Sequence, residues 1–373
     1  MRIAQIAPLI ESVPPRLYGG TERIVAYLTE ELVRQGHEVT LFASGDSLTS
    51  AELVPCSEQA LRLDPQVRDP LPYYMVMLDR VRRRAHEFDV LHFHIDYLHF
   101  PLFRDIAAST LTTQHGRLDL PDLSVAYRVF TEFPLVSISD DQRRPCPHWN
   151  WVRTIHHGLP LNLLAFSPEP RGGYLAFLGR ICPEKRPDHA IEIARRTGVP
   201  LKIAAKVDPV DRAYFEEVIR PLLDDPLVEY VGEIGEREKA AFLGDALAVL
   251  FPIDWPEPFG LVMIEAMACG TPVIAYRRGS VPEVIDHGWT GFIVDDLDGA
   301  VAAVGQVEEL DRSMIRARFE QRFTTERMAK DYLEAYKSLT TVPGLQVRSP
   351  LLGYARDDAG KPDGEAIGAV HAS

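Results

Sequence analysis

The stretch PEPFGLVMIEAMACGTPVIA, residues 256–275, decides how the second half of this chain folds. It predicts a loop that ends at Phe259-Gly260, a helix, a glycine stop at Gly270 and a short strand, Val273–Ala275. The helix is apolar on nearly all sides, which is typical of a helix inside a protein. The strand is a continuous apolar run, which is typical of a parallel sheet covered on both faces. The stretch therefore predicts an α/β fold.

The alternation of strand and helix continues on both sides of this stretch. Helices are predicted over Asp188–Arg196 and Asp211–Leu223, each between apolar runs. The other predicted strands of this half are Tyr174–Gly179, Leu201–Ala205, Val228–Val231, Ala248–Phe251 and Phe292–Val294. Strands that alternate with helices favour a parallel sheet with helices on its faces.

The first half of the chain has the same rhythm. An amphipathic helix is predicted from Gly20 to about Gln35, and Gly36 supplies its stop. The predicted strands of this half are Ile3–Ala7, Glu38–Ala43, Val90–His94, Thr110–His115, Leu135–Ser139 and Val152–His156. Two such series predict two doubly wound, Rossmann-like domains with parallel sheets.

The boundaries of these domains follow from changes in composition. His157–Gly173 is rich in proline and glycine and is the natural linker. We therefore expect an N-terminal domain over residues 1–157 and a C-terminal domain over 158–327. Residues 328–340 are predicted to form a last amphipathic helix. Packing of this helix back on the N-terminal domain is one of the arrangements that the sequence leaves open. Beyond it the chain has no usable periodicity, which predicts a disordered tail over 341–373.

Composition narrows the class of partner and the compartment. The formal net charge is −14 over 373 residues, which argues against nucleic acid as a partner because nucleic-acid binders usually present a basic face. The sequence contains no run of 18 or more apolar residues, so no transmembrane helix is expected. The start MRIAQIAPLIE is interpreted as a first strand rather than a signal peptide. We expect a cytoplasmic protein with four reduced cysteines. The basic run RVRRRAH, residues 80–86, leaves peripheral contact with the inner membrane face open.

Two glutamates in the deciding stretch are candidates for binding a sugar nucleotide. Glu265 lies in the apolar helix, and a buried carboxylate is costly unless it has a partner. A ribose diol is one such partner, since two hydroxyls can donate to one carboxylate; a neighbouring arginine or backbone group is the alternative. Glu257 lies just before the helix, where a carboxylate can orient a sugar hydroxyl. Gly260 lets a ligand approach the backbone, and the helix start favours a phosphate.

Two cations follow a predicted strand in LAFLGRICPEKRPDHAIEIA, residues 175–194. Arg180 ends the strand, where ligands of open α/β sheets bind, and Lys185 follows five residues later. Both suit a diphosphate, although solvated surface cations are the alternative. A similar step in the first half is Gly19-Gly20, where glycines and a helix start permit close approach of a phosphate. The dehydrogenase fingerprint G-x-G-x-x-G is missing there.

Histidines collect late in the first-half strands, in DVLHFHID, TTQHG and TIHHG. A single strand histidine is usually a structural residue, and this interpretation applies to most of them.

These stretches resemble the donor site of family 4 of the GT-B retaining glycosyltransferases, also called glycosyl transferases group 1. The family has two glutamates with seven residues between them, which Glu257 and Glu265 match, and Phe-Gly-Leu between them, which Phe259, Gly260 and Leu261 match. The resemblance implies that the first glutamate contacts the donor sugar, the second the ribose, and the intervening backbone the sugar and phosphates. It covers about residues 1–335, and it implies that the two domains face each other across a cleft.

The same resemblance assigns roles to the other candidates. Arg180 and Lys185, in Gly-Arg and Pro-Glu-Lys, hold the diphosphate; Gly19 and Gly20 lie across the cleft from it; and Ile234 borders the nucleobase. His115-Gly116 matches a step whose histidine reaches the donor sugar, which makes His115 a candidate site residue. His94 is a weaker candidate on the acceptor side. Two positions depart from the family pattern: Arg186 stands where glycine is common, which leaves the local turn in doubt, and His157 stands where asparagine is common.

The implied activity is retaining transfer of a hexose from a nucleotide sugar to a hydroxyl. No cofactor or metal is required, since the resemblance also counts against metal roles for Asp295-Asp296 and for Asp208 with Asp211. UDP-glucose is the first expected donor and GDP-mannose the second, and the acceptor is a sugar, a lipid or a small metabolite. Open alternatives are another GT-B reaction, such as that of an epimerase or phosphorylase, a catalytically inactive binding protein, and an oxidoreductase.

Overall fold

The computed structural model of the protein describes residues 1–16 and 19–340, and within them the chain forms two parallel sheets. The strands of the first sheet are β1 (Arg2–Ile6), β2 (Glu38–Ser44), β3 (Glu52–Ser57), β4 (Val90–Phe93), β5 (Thr110–Thr113), β6 (Leu135–Ser137) and β7 (Trp151–Thr154). The strands of the second are β8 (Leu175–Arg180), β9 (Leu201–Lys206), β10 (Val228–Gly232), β11 (Ala248–Phe251), β12 (Val273–Tyr276) and β13 (Gly291–Val294).

Both sheets are doubly wound. The spatial order is β3-β2-β1-β4-β5-β6-β7 in the first and β10-β9-β8-β11-β12-β13 in the second. The order therefore reverses between β1 and β4 and again between β8 and β11. Open α/β sheets bind ligands beyond the carboxyl ends of their strands at such reversals, so the topology indicates where a site should lie in each half.

Helices connect the strands and cover the sheets. The α-helices are α1 (Gly20–Arg34), α2 (Leu71–Arg84), α3 (Phe100–Phe103), α4 (Leu123–Val129), α5 (Pro187–Thr197), α6 (Arg212–Tyr214), α7 (Glu236–Gly244), α8 (Leu261–Cys269), α9 (Val281–Val284), α10 (Leu297–Val304), α11 (Arg312–Arg322) and α12 (Thr325–Thr340). Helix α8 is buried along almost its whole length, as its apolar sequence predicts. Among the described residues, no helix combines the length and apolar character needed to span a bilayer.

The predicted elements differ from the structure in three ways. Strand β3 is absent from the prediction. The predicted helix over residues 211–223 is α6 followed by a π-turn and a 3₁₀ turn, because Pro221 cannot continue a regular helix. Three strands that were predicted to end at a histidine end earlier in the structure. One ends one residue earlier, at Phe93, and two end two residues earlier, at Thr113 and Thr154. His94, His115 and His156 therefore lie just beyond the carboxyl edge of the sheet, whereas His92 stays within β4.

The chain crosses between the two sheets twice, and the two crossings touch. Leu159 N donates to Phe323 O at 2.8 Å, and Thr325 N donates to Leu159 O at 3.0 Å. After the second crossing, α12 returns to the first sheet and packs on α1, so that Tyr332 and Tyr336 are fully buried there. The predicted tail, residues 341–373, lies outside the described residues.

Candidate functional site

A cavity of about 450 Å³ lies between the carboxyl edges of the two sheets. The first sheet contributes the start of α1 and the residues after β5. The second contributes the ends of β8, β9 and β10, the loop after β11 and the first half of α8. The predicted site residues that line it are Gly19, Gly20, His115, Arg180, Lys185, Ile234, Glu257, Phe259, Gly260, Leu261 and Glu265. The structure thus brings together, in one cavity, eleven of the twelve predicted residues.

Gly260 begins helix α8 in a conformation that other residues rarely adopt. Its φ is 78°, in the left-handed region, and a Cβ there would lie 2.9 Å from both Met263 Cε and Phe251 Cζ. A glycine is therefore required both by the backbone and by the space. The turn aims the free N–H groups at the start of α8 into the cavity, where they suit an anion.

Glu257 forms an ion pair with Lys185 inside the cavity. Trp255 Nε1 also donates to the same carboxylate at 2.9 Å. The backbone of Glu257 is held from behind, since Ser280 N donates to its carbonyl at 3.0 Å. Gly279 makes this approach possible, because a Cβ on it would lie 2.4 Å from Glu257 N. The Gly279-Ser280 step therefore positions the carboxylate, a role that the sequence interpretation missed.

Glu265 is buried, with 4% of the residue exposed, and its partner is a lysine. Lys239 Nζ donates to Glu265 Oε1 at 2.6 Å. Sequence reasoning left open a ribose diol, an arginine or a backbone group; Lys239, on the first turn of α7, was missed. Glu265 also lines the cavity.

Arg180 is held by two carboxylates, as expected for a cation at the edge of a cavity. Its side chain lies 3.6 Å from Asp208 and 3.4 Å from Asp211. Asp208 also pairs with Lys206 at 2.9 Å. The acidic pair that looked suited to a metal therefore orients cations. Among residues 1–16 and 19–340, no group of three or more His, Cys, Asp or Glu side chains is arranged to hold a metal ion.

The turn after β8 has the shape that glycine would favour, although an arginine occupies it. Arg186 has φ 51° and ψ 52°, in the left-handed region, which accounts for glycine being common at this position of the family pattern. Its side chain pairs with Asp188 at 2.8 Å and with Asp254 at 3.6 Å. The turn therefore keeps Lys185 in the cavity without a glycine.

The start of α1 reaches across the cavity to the second half. Arg23 forms an ion pair with Glu236 at the first turn of α7, and 10% of the arginine side chain is exposed. Glu22 is buried beside it, and burial raises the pKa of its carboxyl group. Both residues line the cavity.

The histidines form a neutral cluster on the first-sheet side. His115 lines the cavity, and its ring stacks on that of His157 with 5.4 Å between the centroids. Burial lowers the pKa of His115 to about 3 and the pKa of His157 well below its usual value. His94 is buried one layer behind, and both of its ring nitrogens are within hydrogen-bond distance of protein atoms. The structure therefore places the proposed acceptor-side histidine away from the cavity wall.

Chemically, the second-sheet side of the cavity combines several carboxylates and cations, Glu257, Glu265, Arg180 and Lys185 among them, with a helix start. The first-sheet side adds neutral imidazoles beside the charged Glu22 and Arg23. Such a set can bind a diphosphate through the cations and N–H groups. The carboxylates can accept hydrogen bonds from sugar hydroxyls, and so can the imidazoles.

Two family models match the chain. The model described as glycosyl transferases group 1 matches residues 167–324, and the model described as glycosyltransferase family 4 matches residues 18–158. Together they take in most of the chain, and each matches one of the two sheets with its helices.

Curated relatives match over shorter stretches. A D-inositol 3-phosphate glycosyltransferase of Rhodococcus opacus is 32% identical over 195 residues, which is 46% of this chain and 42% of the relative. An N-acetyl-alpha-D-glucosaminyl L-malate synthase of Bacillus anthracis is 36% identical over 111 residues, or 28% of this chain and 29% of the relative. The chain thus spans less than half of the length of these relatives.

Solved structures share the fold over nearly the whole chain. AviGT4, a glycosyltransferase involved in avilamycin A biosynthesis, matches with a TM-score of 0.68 and 23% identity, over 91% of this chain and 98% of its own. A sucrose-phosphate synthase from Thermosynechococcus elongatus matches with a TM-score of 0.73 and 20% identity, over the same shares. Alr3699/HepE of Anabaena, in complex with UDP-glucose, matches with a TM-score of 0.69 and 19% identity, over 91% of this chain and 100% of its own. The fold is therefore GT-B, as the resemblance implied.

Proposed function

Since the chain belongs to the family 4, group 1 glycosyltransferases, we propose that it transfers a hexose from a nucleoside diphosphate sugar to an acceptor hydroxyl. One observation carries the proposal: Glu257 and Glu265 line the same cavity as Arg180 and Lys185. These are the groups that a sugar nucleotide requires, namely acceptors for the hydroxyls of the sugar and ribose and cations for the diphosphate.

The diphosphate would lie between Arg180, Lys185 and the N–H groups at the start of α8. Transfer breaks the bond between the anomeric carbon and the diphosphate, so negative charge develops on the leaving oxygen. Arg180, oriented by Asp208 and Asp211, already stands at that point and stabilises this charge without reorganising, and Lys185 adds a second cation when it turns from Glu257. This is the main contribution that we assign to the second-sheet side.

The two carboxylates would exchange lysine contacts for ligand contacts. Glu257 would accept from hydroxyls of the donor sugar while Lys185 turns toward the diphosphate, and Glu265 would accept from the ribose diol beside Lys239. Each glutamate is held in place by a cation, so neither is an uncompensated buried charge before the donor binds.

We propose retention of the anomeric configuration without a metal. Family membership supports front-face attack of the acceptor through an oxocarbenium-like state, with the leaving diphosphate accepting the acceptor proton. For the donor we propose UDP-glucose first and GDP-mannose second; the complex of the Anabaena neighbour with UDP-glucose favours this order. The acceptor is a sugar, a lipid or a small metabolite, and the relatives' inositol phosphate makes a phosphorylated polyol worth including in any screen.

The first test is thermal stabilisation by a panel of UDP, GDP and ADP and their sugars, with no metal added. A ligand that binds the folded protein raises its melting temperature by mass action. We expect one nucleoside diphosphate to stand out, and its effect to fall in Glu265→Gln but not in Glu229→Gln, a surface control. No stabilisation by any of these ligands would contradict the proposed donor class.

The second test uses the preferred donor and a pool of candidate acceptors. We expect Glu257→Gln to remain folded and to bind the nucleoside diphosphate, yet to lose transfer. Wild-type turnover by this variant would contradict the assignment of Glu257. Release of an epimerised or phosphorolysed sugar in the absence of an acceptor would instead favour another GT-B reaction.

A further inference from the structure

Glu283, on helix α9 of the second half, accepts three hydrogen bonds from the first half of the chain. The backbone N–H groups of Asp140 and Asp141 donate to its two carboxylate oxygens, each at 2.7 Å. His156 Nε2 lies 3.0 Å from one of the same oxygens. The carboxylate therefore joins the turn after β6, and the residue that closely follows β7, to the opposite half of the molecule.

The contact suits an ionised carboxylate. Three donors converge on one group, and a carboxylate offers acceptor positions on both oxygens and has no proton of its own. The Glu283 side chain is only 20% exposed. Burial by itself would raise the pKa of this carboxyl group, but the hydrogen bonds from His156 and from the two backbone N–H groups outweigh burial and lower the pKa. Glu283 is therefore charged at neutral pH and can only accept from these partners.

The residue before α9 holds the loop that contains Glu257. Ser280, which lies one turn before Glu283, donates from its backbone N–H to the Glu257 carbonyl at 3.0 Å. Its hydroxyl group donates to the Phe259 carbonyl at 2.7 Å, and the residue is fully buried. Ser280 and Glu283 are also bonded to each other, since Glu283 N donates to Ser280 O at 2.8 Å. A displacement of Glu283 should therefore displace the Glu257 loop as well.

The turn after β6 and the Glu257 loop also face each other directly. A second cavity, of about 210 Å³, lies between them. Its lining includes residues of both segments, namely Asp141, Gln142, Pro256 and Pro258. Glu283 is bonded to the first of these segments and, through Ser280, to the second. The separation of the two segments, immediately beside Glu257, therefore depends on the Glu283 carboxylate.

We propose that Glu283 is a positioning residue that fixes the Glu257 loop against the first half of the chain and so places the Glu257 carboxylate for transfer. This inference rests on the proposed function, which assigns Glu257 to the donor sugar. The side chains assigned to the diphosphate and the ribose, those of Arg180, Lys185 and Glu265, all lie in the second half. Loss of the Glu283 contacts should therefore impair transfer and leave binding of the nucleoside diphosphate intact.

The first experiment measures the contact itself, by amide hydrogen exchange of the full chain followed by NMR. We expect the amides of Asp140 and Asp141 to be protected in the wild type. In Glu283→Gln one carboxylate oxygen becomes an NH₂ group, which cannot accept, so at least one of the two amides should exchange faster. Glu308→Gln changes an exposed glutamate of the same half and should leave both amides protected. Unprotected amides in the wild type, or unchanged protection in Glu283→Gln, would overturn the proposal.

Kinetics with the preferred donor separate positioning from a merely structural role. We expect kcat of Glu283→Gln to fall roughly 10- to 100-fold, as for a misplaced group at a reacting centre, while Kd for the nucleoside diphosphate stays unchanged. Both are measured well below the melting temperature of the variant, where lost stability alone leaves kcat unchanged. Glu308→Gln should keep both wild-type values. A wild-type kcat in Glu283→Gln, or a Kd that rises as much as kcat falls, would overturn the proposal.

Glu283→Asp keeps the charge but shortens the side chain, and it serves as the second variant if Glu283→Gln does not fold. We expect its kcat to follow the protection of the Asp140 and Asp141 amides, so that both are lost or both are retained. Lost protection with a wild-type kcat would overturn the proposal. If the wild type transfers no sugar from any nucleotide, although exchange responds to Glu283 as expected, the proposed function is overturned and the contact between the two halves stands.

Discussion

The two sides of the cavity use different chemistry although both stand on doubly wound sheets. The second-sheet side presents charged groups in pairs, such as Lys185 with Glu257 and Lys239 with Glu265. The first-sheet side presents neutral histidines whose pKa values are lowered by burial. Charged pairs can exchange partners when a diphosphate arrives, whereas neutral imidazoles can only donate or accept in fixed directions. The first-sheet side also has Glu22 and Arg23 at the start of α1, so the contrast is between the charged pairs and the histidines. We expect the charged pairs to stabilise charge and the histidines to orient hydroxyls.

The two sides also differ in how the backbone delivers the side chains. Glu257, Phe259 and Gly260 lie on a loop and a helix start that are shaped by glycines with positive φ. His115 follows directly from strand β5, and its neighbour His94 follows from β4. A change on the loop side should therefore act through backbone position, and a change on the strand side through hydrogen bonds.

The largest effect is expected for Lys185→Ala. The substitution removes a cation from the developing charge and leaves the Glu257 carboxylate without its partner. We expect kcat to fall roughly 10²- to 10³-fold, the usual cost of removing one preorganised group at the reacting centre. Steady-state kinetics with the preferred donor measure it, and Lys202→Ala, at the surface against Glu229, should retain wild-type kcat. A decrease in kcat of less than threefold for Lys185→Ala would contradict the proposal that the second-sheet side stabilises the developing charge.

A smaller effect, on binding rather than turnover, is expected for Glu265→Gln. A neutral amide accepts more weakly from the ribose hydroxyls than a carboxylate does. Hydrogen bonds to charged groups contribute about 1.5–3 kcal/mol, so Kd for the nucleoside diphosphate should rise about 10- to 100-fold. Isothermal titration measures this Kd. An unchanged Kd would mean that Glu265 serves only to pair with Lys239.

Two alanine substitutions at glycines with positive φ test whether the Gly279-Ser280 step positions Glu257. Gly279 has φ 52°, and a Cβ at this position would lie 2.4 Å from Glu257 N. Gly288 has φ 77°, and a Cβ at that position would have no atom within 4 Å. Both suffer backbone strain of about 1–3 kcal/mol, and only Gly279→Ala adds a clash that displaces Glu257. We expect urea unfolding to show a larger loss of stability for Gly279→Ala, and transfer to fall only in that variant. Equal losses in the two variants would count against a positioning role for this step.

The pH dependence of stability tests whether the histidines of the first-sheet side are neutral in the folded protein. Four buried histidines and one partly buried histidine have folded-state pKa values below the usual 6.5, namely His92, His94, His99 and His157, and His115. Below about pH 6.5 these histidines bind protons in the unfolded chain but not in the folded chain. The free energy of unfolding therefore falls as the pH drops from 6.5 toward 4. Each histidine contributes about 1.4 kcal/mol per pH unit in that window. His99→Gln, remote from the cavity, should lower the slope of urea-measured stability against pH by one histidine's share; an unchanged slope would contradict the neutral form.

The sequence was informative wherever a function depends on a local pattern. Apolar runs and helix periods predicted two doubly wound parallel sheets. The resemblance carried by the two glutamates with seven residues between them implied the GT-B fold and a shared donor site, and both glutamates do line one cavity. Strand β3 was missed because Glu52 and Pro55 interrupt its apolar pattern at the edge of the sheet. Arg186 was left in doubt because residue type alone does not reveal a backbone held in the left-handed region by the contacts around it.

By itself, the sequence determined the alternation of strands and helices, the family, and the residues that reach the carboxyl edges of the sheets. These properties depend on neighbours within one or two turns of chain. Only the tertiary structure decided the partners: Lys239 for Glu265, Asp208 and Asp211 for Arg180, and Tyr336 for Gln5, 331 residues away. Contacts between distant segments depend on how elements pack, and no local pattern states which buried charge or proton will meet which partner.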